Sequence, residues 1–188
     1  MKKILIAIFL GVFACSLLPQ EHEKESQVFD EPLLITSAGQ SADVQLASVL
    51  AKRAGLEATL SKLATAEQLE GVKTVALVIG ASLKGLGAAG LDVSEEKRRV
   101  QELLEEAQKK QIPVLCLHLG GEARRGQLSD EFITTFLPCA RVAVVVKSGN
   151  KDGLFTRICQ KNRITLVEVE KTIDALQPLK KLFGHKMP

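Results

Sequence analysis

The chain contains no tryptophan and no tyrosine, and seven phenylalanines make up its whole aromatic content. Sugar-binding and single-strand-binding surfaces stack their ligands on aromatic platforms, so this deficit counts against both. No apolar run reaches the roughly 20 residues that a bilayer-spanning helix needs. There is no Gly-X-Y period, which excludes collagen, and a hydrophobic fraction of 46% excludes a disordered chain. The four cysteines form no CxxC pair and no His–Cys cluster, so no metal site is expected. No basic stripe with interleaved aromatics points to nucleic acid. What is present, 188 residues of which 25% are charged, suits one globular domain around a single core.

The N-terminus reads as an address. Lys2 and Lys3 precede an apolar stretch over residues 4–14, and small Ala14 precedes Cys15. This is the layout of a secretory signal. Val12-Phe13-Ala14-Cys15 resembles the lipobox of bacterial lipoproteins, whose cysteine is lipidated and becomes the new N-terminus; Phe13 departs from it, standing where a small residue is usual. The alternative is an ordinary cleaved signal with Cys15 incidental. Residues 1–15 are therefore expected to be a lipoprotein-type signal peptide, residues 16–31 a polar tether, and residues 32–184 the folded domain. The domain would sit outside the cytoplasm, in the periplasm or at the cell surface, attached to the membrane by lipidated Cys15. Removal of Lys2 and Lys3 leaves 23 basic residues against 22 acidic ones, so the precursor's net charge of +3 carries no message about a polyanion. Of the other cysteines, Cys116 lies in an apolar run and packs as a small hydrophobe, while Cys139 and Cys159 either pair or stay free.

From residue 32, apolar runs alternate with amphipathic stretches. Strands are expected over residues 33–36, 58–62, 74–79, 113–119, 142–146 and 165–169. Helices are expected over 42–54, 94–110, 129–137, 154–161 and 172–183, the last broken near Pro178, with a helical turn at 66–70. The run TVALVI (74–79) is apolar throughout, as a strand covered on both faces must be. In 94–110, Ser94 is the expected cap, acids fill the first turn, and Val100, Leu103, Leu104 and Ala107 form a stripe. The alternation predicts a single three-layer, doubly wound α/β domain, Rossmann- or flavodoxin-like, with a mainly parallel sheet of five or six strands. Such sheets bind ligands beyond the carboxyl ends of their strands, near the point where strand order reverses.

Four strands run into polar, Gly-rich loops: TSAGQSAD (36–43), GASLKGLGAAGLD (80–92), HLGGEARRGQLSD (118–130) and KSGNKDG (147–153). Parallel strands would bring all four to one edge, and two of them exceed the usual connection of about 4–6 residues. The first loop offers Ser37, Gly39, Gln40 and Ser41 to a ligand, and the second Ser82, Lys84, Gly85 and Gly87. The third offers Gly120, Gly121, Glu122, Arg124 and Arg125, and the fourth Lys147, Asn150, Lys151 and Asp152. Glycine lets the backbone come close to a bound group. Lys84, Arg124, Arg125 and Lys147 would fix an anion, while Gln40 and Asn150 would orient it. Asp43, Asp92, Glu122, Asp130 and Asp152 supply nearly equal negative charge, which suits a ligand carrying a carboxylate together with an amine or hydroxyl. The same charges also pair with one another or cap helices.

Sharper motifs are weak. Gly85, Gly87 and Gly90 fit G-x-G-x-x-G, but the motif starts five residues past its strand, and no acid follows at the end of a next strand. The segment 80–85 lacks the lysine of a P-loop, Leu86 standing there instead. No cofactor is expected. Ser82 or Ser37 could act as a nucleophile with His118 at a strand end as base, although Ser82 lacks the second glycine of a nucleophile elbow. A lone histidine is more often a hydrogen-bonded structural residue. His22 and His185 fall in the terminal segments.

ITSAGQSAD, GASLKGLGAAG, GGEARRG with LSDEF, and SGNKDGLF together resemble the signature segments of a bacterial family of exported proteins known only as a domain of unknown function. The resemblance covers residues 32–183 and implies an exported α/β domain without an assigned activity, cofactor or catalytic residue. The reading favoured is a lipid-anchored binding protein that captures a small polar, carboxylate-bearing molecule and hands it to a transporter or sensor. The alternatives are an exported hydrolase or transferase using a serine with His118, and a purely structural or partner-binding lipoprotein.

Overall fold

The computed structural model describes residues 27–185; the signal-type segment, Cys15 and His22 lie outside the described residues. Strands β1 (Leu33–Ala38), β2 (Ala58–Leu60), β3 (Thr74–Ile79), β4 (Val114–His118), β5 (Val142–Val146) and β6 (Thr165–Val169) form one sheet in the order β2-β1-β3-β4-β5-β6. Every neighbouring pair is parallel. The helices are α1 (Asp43–Ala54), α2 (Leu83–Ala88), α3 (Val93–Lys109), α4 (Gln127–Phe136), α5 (Leu154–Asn162) and α6 (Leu176–Leu182). The chain steps from β1 outward to β2, then returns to place β3 on the other side of β1. Strand order therefore reverses between β1 and β3, as in flavodoxin-like sheets.

The layers follow from side-chain alternation. In β3, Val75, Leu77 and Ile79 face a core shared with Val100 and Leu103 of α3, Phe132 and Phe136 of α4, and Phe155 of α5. Ala76 and Val78 face the opposite core with Val44 and Leu50 of α1 and Leu179 and Leu182 of α6. With both faces covered, β1, β3, β4 and β5 are buried along their whole length, and only the edge strands β2 and β6 carry exposed positions. β-branched valines fill β5, where a two-sided buried surface favours them.

The structure differs from the sequence-based expectations at several boundaries. The folded body begins before residue 32, where the sequence placed its start. Phe29 is buried against Phe183, and the main-chain N–H groups of Val28 and Phe29 both donate to Leu182 O. His185 is tied back as well, its Nε2 lying 2.5 Å from Glu31 Oε1. Helix α3 is capped by Asp92 instead of Ser94, because Asp92 and Glu95 form a reciprocal capping box. The C-terminal helix divides between Ala175 and Leu176, leaving Pro178 in the first turn of α6, where its missing N–H costs nothing. Cys116, Cys139 and Cys159 are all free thiols; burial pushes Cys116 upward in pKa and Cys159 to about 11.

Candidate functional site

Because all six strands are parallel, the loops that follow β1, β3, β4 and β5 leave from the same carboxyl edge. They divide there into two halves of different character.

The half at the β1/β3 reversal is a cleft of about 620 Å³ lined by Gln40, Ser41, Ala42, Lys62, Leu63, Ser82, Lys84, Gly85, Ala88, Ala89 and Arg124. Its walls are fixed by backbone contacts. Gly80 N–H donates to Ala38 O, Ser82 N–H donates to Gly39 O at 2.8 Å, and Gln40 bridges Ala81 in antiparallel fashion. Gly39 has φ +102°, and a Cβ there would come within 2.7 Å of Ala81 Cα. A Cβ on Gly85 would overlap the Gln40 carbonyl oxygen, so α2 can press against the β1 loop only with glycine at this point. The segment 80–92 is therefore not an open loop. It contains α2, capped by Ser82 Oγ accepting from Gly85 N–H, and Gly85 and Gly87 lie within that helix rather than in a phosphate loop.

Beneath the cleft, Glu96 of α3 is wholly buried and holds the β1 loop in place. Its carboxylate accepts from Gly39 N–H (2.9 Å), Gln40 Nε2 (3.0 Å), and Nε and Nη2 of Arg99 (both 2.9 Å). Arg99 also donates to Ala64 O and Ser37 O. Gln40 Nε2 and Thr36 Oγ1 both donate to Lys62 O, which pins the backbone that carries Lys62 and Leu63. Gln40 thus braces the loop through its Nε2, which is turned inward, while the residue also lines the cleft. Ser41 is buried, its Oγ accepting from Asp43 N–H.

Three cations line the cleft and no carboxylate does. The ammonium groups of Lys62 and Lys84 have no ion-pair partner among the described residues. Arg124 donates through Nε to Asp43 Oδ1 at 3.1 Å, which leaves both Nη groups without a hydrogen-bond partner among the described residues. Asp43 is itself buried, and its Oδ2 and Ser37 Oγ are buried side-chain oxygens without a partner. Gly120 makes room for this pair, since a Cβ there would overlap Arg124 and Asp43.

The half beyond β4 and β5 is closed by its own charges. Arg125 forms a forked pair with Asp130 and a second with Asp152, donates to Gly149 O, and lies over the Phe155 ring. These bonds raise the Arg125 pKa further and hold the Asp152 carboxyl well below the usual carboxylate range. Lys151 pairs with Glu122 and Lys147 with Glu170. Asn150 is buried and caps α5: its Oδ1 accepts from Phe155 N–H, and its Nδ2 donates to Thr156 and Glu168. Gly121 takes φ +58° against Ser148. Of the cations expected to fix an anion, Lys84 and Arg124 reach the cleft, whereas Arg125 and Lys147 are engaged elsewhere, as is the loop's Lys151.

His118 ends β4 fully buried, with Nδ1 2.9 Å from Ile79 O and Nε2 3.1 Å from Gly121 O, and its ring packs on Phe155. Burial pushes its pKa down, outweighing the two carbonyls and Asp43. Neither Ser37 nor Ser82 hydrogen-bonds to it. The nucleophile–base contact that the hydrolase alternative requires is not formed, and each ring nitrogen faces a main-chain oxygen, only one of which the neutral ring can donate to. Among the described residues no group of three His, Cys, Asp or Glu side chains could hold a metal.

Sequence reading missed Lys62, Leu63, Glu96 and Arg99. A signal for Glu96 existed: it stands four residues before Val100, in register with the apolar stripe of α3, and an acid on such a stripe must find donors inside. Lys62 follows β2 and gave no such signal.

The fold and site together define a flavodoxin-like α/β domain with a cationic cleft at its switch point. The chain belongs to the family described as domain of unknown function DUF6305, whose model matches residues 30–183. No protein of curated function matches it. Among solved structures it is similar to AlinE4, an SGNH-hydrolase family esterase, at 15% identity and a TM-score of 0.30 over 77% of each chain. It is similarly related to two variants of that esterase, at 15% identity and TM-scores of 0.30 and 0.29 over 78% and 83% of each chain. Likeness at this level adds nothing to the reading of the site.

Proposed function

We propose that the protein is an exported, lipid-anchored receptor that holds a small polar anion, carboxylate-bearing, in the cleft between the β1 and β3 loops and delivers it to a membrane transporter or sensor. The observation that carries this reading is the cleft lining, which presents Lys62, Lys84 and the two Nη groups of Arg124 and no carboxylate. A cavity of about 620 Å³ falls in the range of small-molecule sites, roughly 300–1,000 Å³. Export and anchoring rest on Lys2, Lys3, the apolar stretch 4–14 and Cys15. The hydrolase reading lacks the hydroxyl–imidazole contact on which it depends.

The test is calorimetric titration of the purified protein with a panel of carboxylates, amino acids and phosphates. A hydrogen bond to a charged group contributes about 1.5–3 kcal/mol, so the Lys62→Ala/Lys84→Ala double variant should lose at least about tenfold in affinity. Arg125→Ala should bind normally, because that side chain belongs to the self-paired half. Saturable binding that survives in the lysine double variant, or none to any member of the panel, would refute the cleft as the site. Anchoring is tested separately by lipid labelling of the intact chain, which Cys15→Ser should abolish.

A further inference from the structure

We infer that the ligand is an amphiphilic carboxylate without an amine: a single anionic head carrying a short apolar tail. This rests on the cleft being the binding site. The mixed charge of the four loops suited a carboxylate joined to an amine or a hydroxyl, but none of the five acids that would hold an ammonium lines the cleft. Asp43 pairs with Arg124 through Oδ1 and its unpartnered Oδ2 is buried, Asp92 belongs to the cap of α3, Glu122 to Lys151, and Asp130 and Asp152 both to Arg125. An ammonium beside the ligand carboxylate would meet Lys62 and Lys84 at close range with no counter-charge, and repulsion in a partly desolvated cleft is strong.

The same cleft has an apolar wall. Ala42, Leu63, Ala88 and Ala89 line it, and two of these sit next to its cations. Leu63 follows Lys62 directly, and Ala88 lies one helical turn from Lys84 on the same face of α2. Leu63, a cleft-lining residue, is 40% exposed. Large apolar side chains kept in water beside a charged opening gain by covering a ligand tail. A carboxylate held by the lysines and the Arg124 fork would therefore run its chain along Ala88 and Leu63.

The experiment uses four probes against the whole protein by calorimetry: hexanoate, acetate, L-2-aminohexanoate and 1-hexanol. Burying part of four extra methylenes should make hexanoate bind about tenfold or more tighter than acetate. The α-amine should weaken L-2-aminohexanoate by a similar factor, and hexanol, having no head charge, should show no saturable binding. Leu63→Ser should weaken hexanoate by a larger factor than acetate, a pattern that a folding defect would not give. Equal affinity for hexanoate and L-2-aminohexanoate, or for hexanoate and acetate, overturns the inference, and so does absence of hexanoate binding. If another anion binds and loses affinity in Lys62→Ala/Lys84→Ala, the receptor reading survives that failure. If no anion binds, both fall.

Discussion

Replacing Glu96 by alanine removes the one acceptor on which the floor of the cleft converges. Its buried carboxylate satisfies the Gly39 N–H, the Gln40 amide and two donors of Arg99, whose side chain is only 11% exposed. Stripping one partner from a buried ion pair costs about 3–5 kcal/mol. Orphaning the Gly39 N–H adds roughly 1–3 kcal/mol to that, whereas Gln40 Nε2 keeps its bond to Lys62 O. Arg99 keeps its bonds to Ala64 O and Ser37 O, which offsets part of the loss, so the net destabilisation should be about 4 kcal/mol. With a urea slope of about 2 kcal/mol/M, the unfolding midpoint falls by roughly 2 M with the slope unchanged. Glu131→Ala is the control, since it breaks only the exposed pair with Lys97 and should cost under about 1 kcal/mol. Glu96→Gln retains one acceptor oxygen and should fall between the two. If Glu96→Ala shifts the midpoint no more than Glu131→Ala does, the brace does not hold the loop, and the pocket above it needs another explanation.

The two glycines of α2 should respond in opposite directions. Gly85→Ala drives a methyl into the Gln40 carbonyl and should cost about 1–3 kcal/mol as well as ligand affinity, whereas Gly87→Ala meets nothing within 4 Å and should raise stability by about 0.5–1 kcal/mol in thermal melts. Ser37→Ala deletes a buried hydroxyl that has no partner, so stability should stay level or rise by up to about 1 kcal/mol; a loss larger than that, in urea titration, would mean the hydroxyl is engaged after all. The folded-state pKa of His118 is lowered, so the unfolded chain binds more protons as the solution is acidified. Its contribution is fully present above the unfolded value of about 6.5 and is lost as pH falls below it toward and through the lowered folded value, so urea midpoints should drop between pH 7.5 and 5.5, and less so in His118→Gln. An equal drop in both proteins would assign the pH dependence to other groups.

The strands were legible because burial on both faces leaves a mark that survives in one dimension: TVALVI and the valine run of β5 fit nothing else. The shared edge of the loops followed from parallel alternation alone. Helix α2 was not legible, since two glycines in six residues depress helix propensity, and the Ser82 cap with the burial of Leu86 compensates. The charge map of the rim was hidden for a different reason. Arg125 finds Asp152 across 27 residues of sequence, Lys151 finds Glu122 across 29, and Lys147 finds Glu170 across 23. Spacing along the chain says nothing about such pairs, so the cations left over for a ligand could not be separated from those already matched. Lys62 became visible only once Thr36 and Gln40 were seen to hold its carbonyl.

The clasp between Phe29 and Phe183 places both ends of the folded body at one pole. Asp30 O accepts from Thr74 Oγ1 at the start of β3, so the chain enters beside the amino ends of the strands, opposite the opening that Lys62 and Lys84 flank. The anchor proposed at Cys15 lies 12 residues before Gln27, at most about 40 Å of chain, and would attach on the side of the body opposite the mouth. Solutes would arrive from the aqueous side, and any membrane partner that unloads the cargo would have to reach around the body or wait for it to turn over.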